Sequence, residues 1–192
     1  MDKSSTAQVI ADTVHWLEQA VIGLNLCPFA KAPHVKQRIH YAVSVALDAQ
    51  DLRQELVEQL DALLGEPAQA RETTLLIIPQ LLSDFLDFND FLAVADHVLR
   101  SMKLVGVIQI ANFHPRYQFA GTQTDDISNF TNRSPYPILH LLREDSVERA
   151  VQAFPQADAI FEANLQTMQT LGLQGWQMLN IGPHDGTSHD KK

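Results

Sequence analysis

Apolar residues recur every three or four positions at Ile10, Val14, Leu17, Val21 and Leu24. That is the stripe of one helix face, and it predicts a first helix over about 6–23. Gly23 ends it, and Pro28 and Pro33 prevent an early restart. The period then changes: Ile39, Tyr41, Val43, Val45 and Leu47 alternate with His40, Ala42, Ser44 and Ala46, the rhythm of a strand with one buried face. A second helix over about 50–64 turns Leu52, Leu56, Leu60 and Leu63 inward and Glu55, Glu58 and Asp61 outward. "TTLLIIP" (73–79) is a continuous apolar run of the kind that forms a strand buried on both faces. A third helix from Ser83 or Asp84 carries Phe88, Phe91, Leu92, Ala95, Leu99 and Met102 on one side, and "LVGVIQIANF" (104–113) is the next buried strand.

A polar segment without either period follows, "HPRYQFAGTQTDDISNFTNRSPYP" (114–137). "PILHLLRE" resumes as a strand, Asp145 with Glu148 reads as a capping box opening a fourth helix, and a fifth helix over about 156–171 stops at Gly172. "GWQMLNI" (175–181) reads as a last strand. The order βαβαβ, one more strand and two helices predicts a single layered α/β (or α+β) domain over 1–182, with 183–192 a flexible tail. The sheet is expected to be mixed but mostly parallel, with four or five strands packed against about five helices. The amphipathic first strand belongs at an edge, and the two continuous apolar strands belong in the middle. In such a sheet ligands bind beyond the carboxyl ends of the strands, where His114 would lie.

Composition narrows the class. The 192 residues are 45% hydrophobic and 19% charged, with no apolar run long enough for a membrane helix and no signal-peptide core. A lone cysteine and no export signal point to the cytoplasm. The formal charge of −9 argues against nucleic acid or an anionic membrane as partner. The charge is uneven, however. Residues 19–47 and 97–143 together hold eight basic and two acidic residues, against six and 21 in the rest of the chain, so the polar segment lies in locally positive surroundings.

An irregular connection of this length is often functional, although a packed loop with Phe119 and Phe130 turned inward and a short helix from Thr124 is the plain alternative. Arg116 and Arg133 offer planar donor forks suited to a carboxylate or phosphate. Asn129, Asn132, Ser134 and Thr122 can add neutral hydrogen bonds, Gly121 admits a close backbone, and His114 can carry a proton near neutral pH. Neither GxGxxG nor a Walker pattern is present. Asp125 and Asp126 point to different sides; one caps a short helix, and Asp126 could orient or balance the charge. Cys27 in "NLCPFAKAPH" is a small buried hydrophobe or, beside Lys31 or His34, a nucleophile. His34, His40, His114 and His140 lack metal-ligand spacing.

"GLNLCPFA" (23–30), "ANFHPRYQFAG" (111–121) and "DISNFTNRSPYPILHLLRED" (126–145) resemble a bacterial family known only as domain of unknown function 1415. The resemblance implies a soluble bacterial single domain and supplies no catalytic residue. The leading expectation is an enzyme for a small phosphorylated or carboxylated metabolite, in a pocket built from 25–34 and 114–134. There Arg116, Arg133, Asn129, Asn132, Ser134, Lys31 and Gly121 bind, while His114, Cys27 and Asp126 act. The alternative is a non-catalytic metabolite-sensing or protein-interaction module, and a His-ligated metalloprotein is third. The sequence requires no cofactor. A two-fold homodimer is expected only as the commonest assembly.

Overall fold

The computed structural model describes residues 5–154 and 159–184. The first helix, α1 (Thr6–Trp16), continues without interruption as a π-helical stretch, Leu17–Ile22. A one-turn helix α2 (Lys31–Val35) leads to β1 (Ile39–Val43), and α3 (Ala49–Gly65) connects β1 to β2 (Thr73–Ile77). The chain then passes through α4 (Phe85–Ser101) to β3 (Ile108–Phe113). Side chains cap the helix starts: Ser5 for α1, Asp48 for α3 and Asp84 for α4 accept from first-turn amides, contacts worth roughly 1 kcal/mol each.

The four strands lie in the order β1-β2-β4-β3, where β4 is Ile138–Arg143. β1 and β2 are parallel, whereas β4 is antiparallel to both its neighbours. The expected mostly parallel sheet is thus corrected to a mixed sheet with two antiparallel ladders out of three. The reason is the 114–137 connection: it carries only a 3₁₀ turn, Ile127–Asn132, and the chain returns beside β3 in the opposite direction. β4 also takes the central place, so β3 is an edge strand and not the interior one its apolar run suggests. Part of that run never enters the sheet. Val105 and Val107 lie in the preceding turn, 67% and 45% exposed, while Ile138, Leu139 and Leu141 of β4 are fully buried.

Both faces of the sheet are covered, which is why the central strands read as unbroken apolar runs. Leu76 and Ile78 join Leu52, Leu56, Leu60 and Leu63 of α3, together with Phe88 and Phe91 of α4, on one face. Leu75 and Ile77 point the other way, into a cluster with Val9, Trp16, Phe130, Met168 and Trp176.

Three local expectations are corrected. β1 ends at Val43, and Val45 and Leu47 are exposed. The helix α5 (Glu144–Gln152) has no side-chain cap; Asp145 instead meets Arg149 one turn on, at 2.8 Å. The expected last strand is the end of a helix, α6 (Ile160–Met178), which breaks at Gly172 and resumes. At φ 63 and ψ 176 that residue occupies a region open essentially to glycine alone. The expected helical residues 156–158 and tail residues 185–192 lie outside the described residues.

Candidate functional site

The registers that pair Val43 with Ile77 and both Ile77 and Phe113 with Ile138 bring the carboxyl ends of β1, β2 and β3 to one side of the sheet. The polar segment starts there, as anticipated, but its side chains turn inward. His114 is fully buried between Phe85 and Phe88, with ring centroids 5.3 and 5.1 Å away. Its Nδ1 accepts from the Arg116 amide at 3.0 Å, and Nε2 lies 2.9 Å from the Leu82 carbonyl. A backbone amide can only donate, so Nδ1 carries no proton and Nε2–H donates to Leu82. Burial lowers the pKa of the ring, and the Leu82 carbonyl opposes that only in part. His114 is therefore a neutral imidazole with both nitrogens engaged.

Asn129 organises the rest. Its buried Oδ1 accepts from the Phe119 amide at 2.9 Å and the Thr122 hydroxyl at 2.8 Å, while Nδ2 donates to the Gln123 carbonyl at 2.7 Å. Arg133 lies over the Phe130 ring, 3.8 Å from its centroid, and its Nη2 donates to the Thr124 carbonyl at 2.6 Å. Arg116 donates to the Ser83 carbonyl and stands 3.3 Å from the Asp84 carboxylate. The Ser134 hydroxyl donates to the Tyr136 carbonyl at 2.6 Å, and Asn132 holds the Asn112 carbonyl at 3.4 Å. Asp126 accepts from the Gln123 amide at 2.7 Å. Gly121 has φ +80 with open space where a Cβ would point, so it serves the turn and not a close approach. Arg116 is turned to the 82–84 turn, whereas Arg133, Asn129 and Ser134 bond within the loop and Asn132 reaches back to β3.

The model of a family described as "Protein of unknown function (DUF1415)" matches residues 8–178. The chain belongs to that family. The match takes in all four strands and the whole 114–137 segment. No curated protein and no solved structure matches the chain.

The other half of the expected DUF1415 pocket, residues 25–34, joins the loop in one apolar cluster through Leu26, Cys27 and Ala30. Cys27 packs at the fringe of the cluster that contains Phe113, Ile127 and Phe130, and burial raises its pKa, opposite to what a nucleophilic thiol needs. Lys31 is exposed at the start of α2, and His34 faces Glu18 at 3.1 Å. Among the described residues no three His, Cys, Asp or Glu side chains are grouped to hold a metal ion. No helix among them is long and apolar enough to cross a membrane.

Two hollows lie elsewhere. One of about 350 Å³ sits between α4 and β3, lined by Leu92, Ala95, Asp96, Leu99, Ile110 and Asn112 among others. The second, about 160 Å³, is lined by Val14, His34, Gln37, Ile39 and Tyr41. The Tyr41 hydroxyl is buried with no hydrogen-bond partner among the described residues, and burial with the Glu18 charge pushes its pKa up to about 12.

One polar centre was missed by the sequence reading. Asp12 is 2% exposed and accepts from Tyr136 at 2.7 Å, Gln8 at 2.9 Å and His184 Nδ1 at 2.8 Å. Burial alone would raise its pKa, but these donors together outweigh burial and lower it. The signal was present in the spacing. Val9, Asp12, Thr13 and Trp16 share a face at three- and four-residue steps, and that face, not the one through Ile10 and Val14, is the most deeply buried.

Proposed function

We propose that this DUF1415 chain is a non-catalytic interaction module whose 114–137 segment presents a preformed surface to a protein partner. The observation that carries this is His114: a buried neutral imidazole with both nitrogens bonded has no nitrogen left to move a proton. Engagement of Asn129, Ser134 and the Arg133 Nη2 within the same loop supports it, since groups already satisfied gain little from a ligand. The residues left facing solvent are Arg116, Ala120, Gly121 and Gln123–Asp126, a mixed polar surface. The anion-binding enzyme is the competing reading, and the two differ in one cheap measurement. Calorimetric titration with inorganic phosphate and with citrate is expected to give no saturable binding. Micromolar binding of either, abolished in Arg116→Ala or Arg133→Ala variants that remain folded, would overturn the proposal and restore the anion site.

A further inference from the structure

β3 is an edge strand, and its hydrogen-bonding pattern identifies what can pair with it. The Glu144 amide donates to the Val107 carbonyl at 2.9 Å, and Val107 and Glu144 continue the register in which Ile108 faces Arg143. In an antiparallel ladder bonded pairs alternate, so odd-numbered residues of β3 bond to β4 and Ile108, Ile110 and Asn112 turn their amides and carbonyls outward. Two of these outward groups are already engaged. The Ile108 amide donates to the Leu104 carbonyl at 2.9 Å, and the Asn112 carbonyl accepts from the Asn132 side chain at 3.4 Å. That leaves the Ile108 carbonyl, both groups of Ile110 and the Asn112 amide outside the β4 ladder, with Ile108 itself only 2% exposed.

We propose that this edge pairs with the same edge of a second copy of the chain, antiparallel about a two-fold axis with Ile110 opposite Ile110. In that register the two Ile110 residues exchange both bonds, and each Asn112 amide faces the other copy's Ile108 carbonyl, which pairing must first uncover because Ile108 is 2% exposed. The second bond of each Ile108/Asn112 pair needs the Ile108 amide and the Asn112 carbonyl, the very groups each copy satisfies internally. Centring the axis on Ile108 or Asn112 would oppose an engaged group to a free one. The pattern is thus self-complementary, as an isologous interface requires. Nothing blunts the edge either, since Ile108–Asn112 contains no lysine, proline or glycine. The hollow of about 350 Å³ beside it includes Ile110 and Asn112 in its lining, so the same two-fold brings two hollows of mixed polar and apolar lining together and lets α4 of each copy close the other. The proposal does not rest on the role of the 114–137 surface.

Sedimentation equilibrium of the full chain between about 5 and 200 μM tests it, together with amide exchange and two variants. Ile110→Pro removes an outward amide while sparing the β4 ladder, and Ala93→Arg places a charge on the exposed α4 rim of the hollow. The expected result is a dimer whose Ile110 and Asn112 amides exchange at least tenfold more slowly at the high concentration, and a monomer for both variants. Because Ile110→Pro could fail to fold, Ala93→Arg decides alone if necessary. A monomer throughout the range overturns the proposal and leaves the edge to an extended peptide from another protein. A dimer with Ile110 and Asn112 amides unprotected, or one that survives Ala93→Arg, overturns it by placing the interface elsewhere.

Discussion

Replacing Asn129 by Asp exchanges one heavy atom, nitrogen for oxygen, and almost no shape, which makes it a sharp probe of the polar segment. The Asn129 amide donates to the Gln123 carbonyl at 2.7 Å, and a second, longer contact of 3.5 Å reaches the Thr124 carbonyl. Aspartate would put an oxygen where that nitrogen stands, facing carbonyl oxygens at hydrogen-bond distance. The half-buried Gln123 bond is lost, its acceptor is left without that donor, and a charge is introduced at a position with no exposure, terms that sum to roughly 3–5 kcal/mol. Against this, the Phe119 amide and Thr122 hydroxyl hold a carboxylate more strongly than an amide oxygen, recovering about 1 kcal/mol. The net expectation is a loss of about 2–4 kcal/mol in urea unfolding, with faster exchange of the Phe119 amide as the local signature. If Asn129→Asp stays within about 0.5 kcal/mol of the parent and Phe119 exchange is unchanged, Asn129 does not organise the loop.

Other expectations follow from single positions. A Cβ on Gly23 would lie 2.4 Å from the Gln19 carbonyl oxygen, a backbone atom held by the π-helical turn. Gly23→Ala should therefore lower stability by at least about 1 kcal/mol, where an ordinary helical glycine would give a gain. Tyr41→Phe removes a buried hydroxyl without a partner and should raise the melting temperature or leave it unchanged; a clear drop would mean that the hydroxyl is satisfied in solution. Burial lowers the pKa of His140 to about 4, and that of His114 is also lowered. Both folded values lie below the ordinary histidine value of about 6.5, so the unfolded chain binds protons first. Stability should be complete above about pH 6.5 and fall as pH drops toward 4, by roughly 1 kcal/mol per pH unit for His140 alone, and His140→Gln should flatten the slope.

Much of the architecture was legible because burial imprints a period on the chain. The α3 leucines stand every three or four positions and all four are buried, and Asp84 marks a helix start that it does cap. Strand order was not legible, because an apolar run reports burial and not neighbours. β3 and β4 read alike, yet β4 is central and β3 an edge whose outer faces are closed by α4 and by the cluster around Phe113. Nor could the polar segment's cargo reveal its direction. Histidine, arginine and asparagine satisfied by nearby carbonyls have the same letters as those that grip a ligand, and Asn129 was placed among the binders for that reason. Asp12 escaped notice because a carboxylate on a helix is ordinarily solvated; its burial depends on Tyr136 and His184, distant in sequence.

The state of His114 tests the central claim most directly. Nitrogen-resolved NMR of the ring at pH 7.5 should show one neutral tautomer, protonated at Nε2 and slow to exchange, with no change on adding phosphate or citrate. A ring that titrates near pH 6.5 in rapid exchange with solvent, or that shifts when either anion is added, would contradict the account and return His114 to the role of a working acid or base.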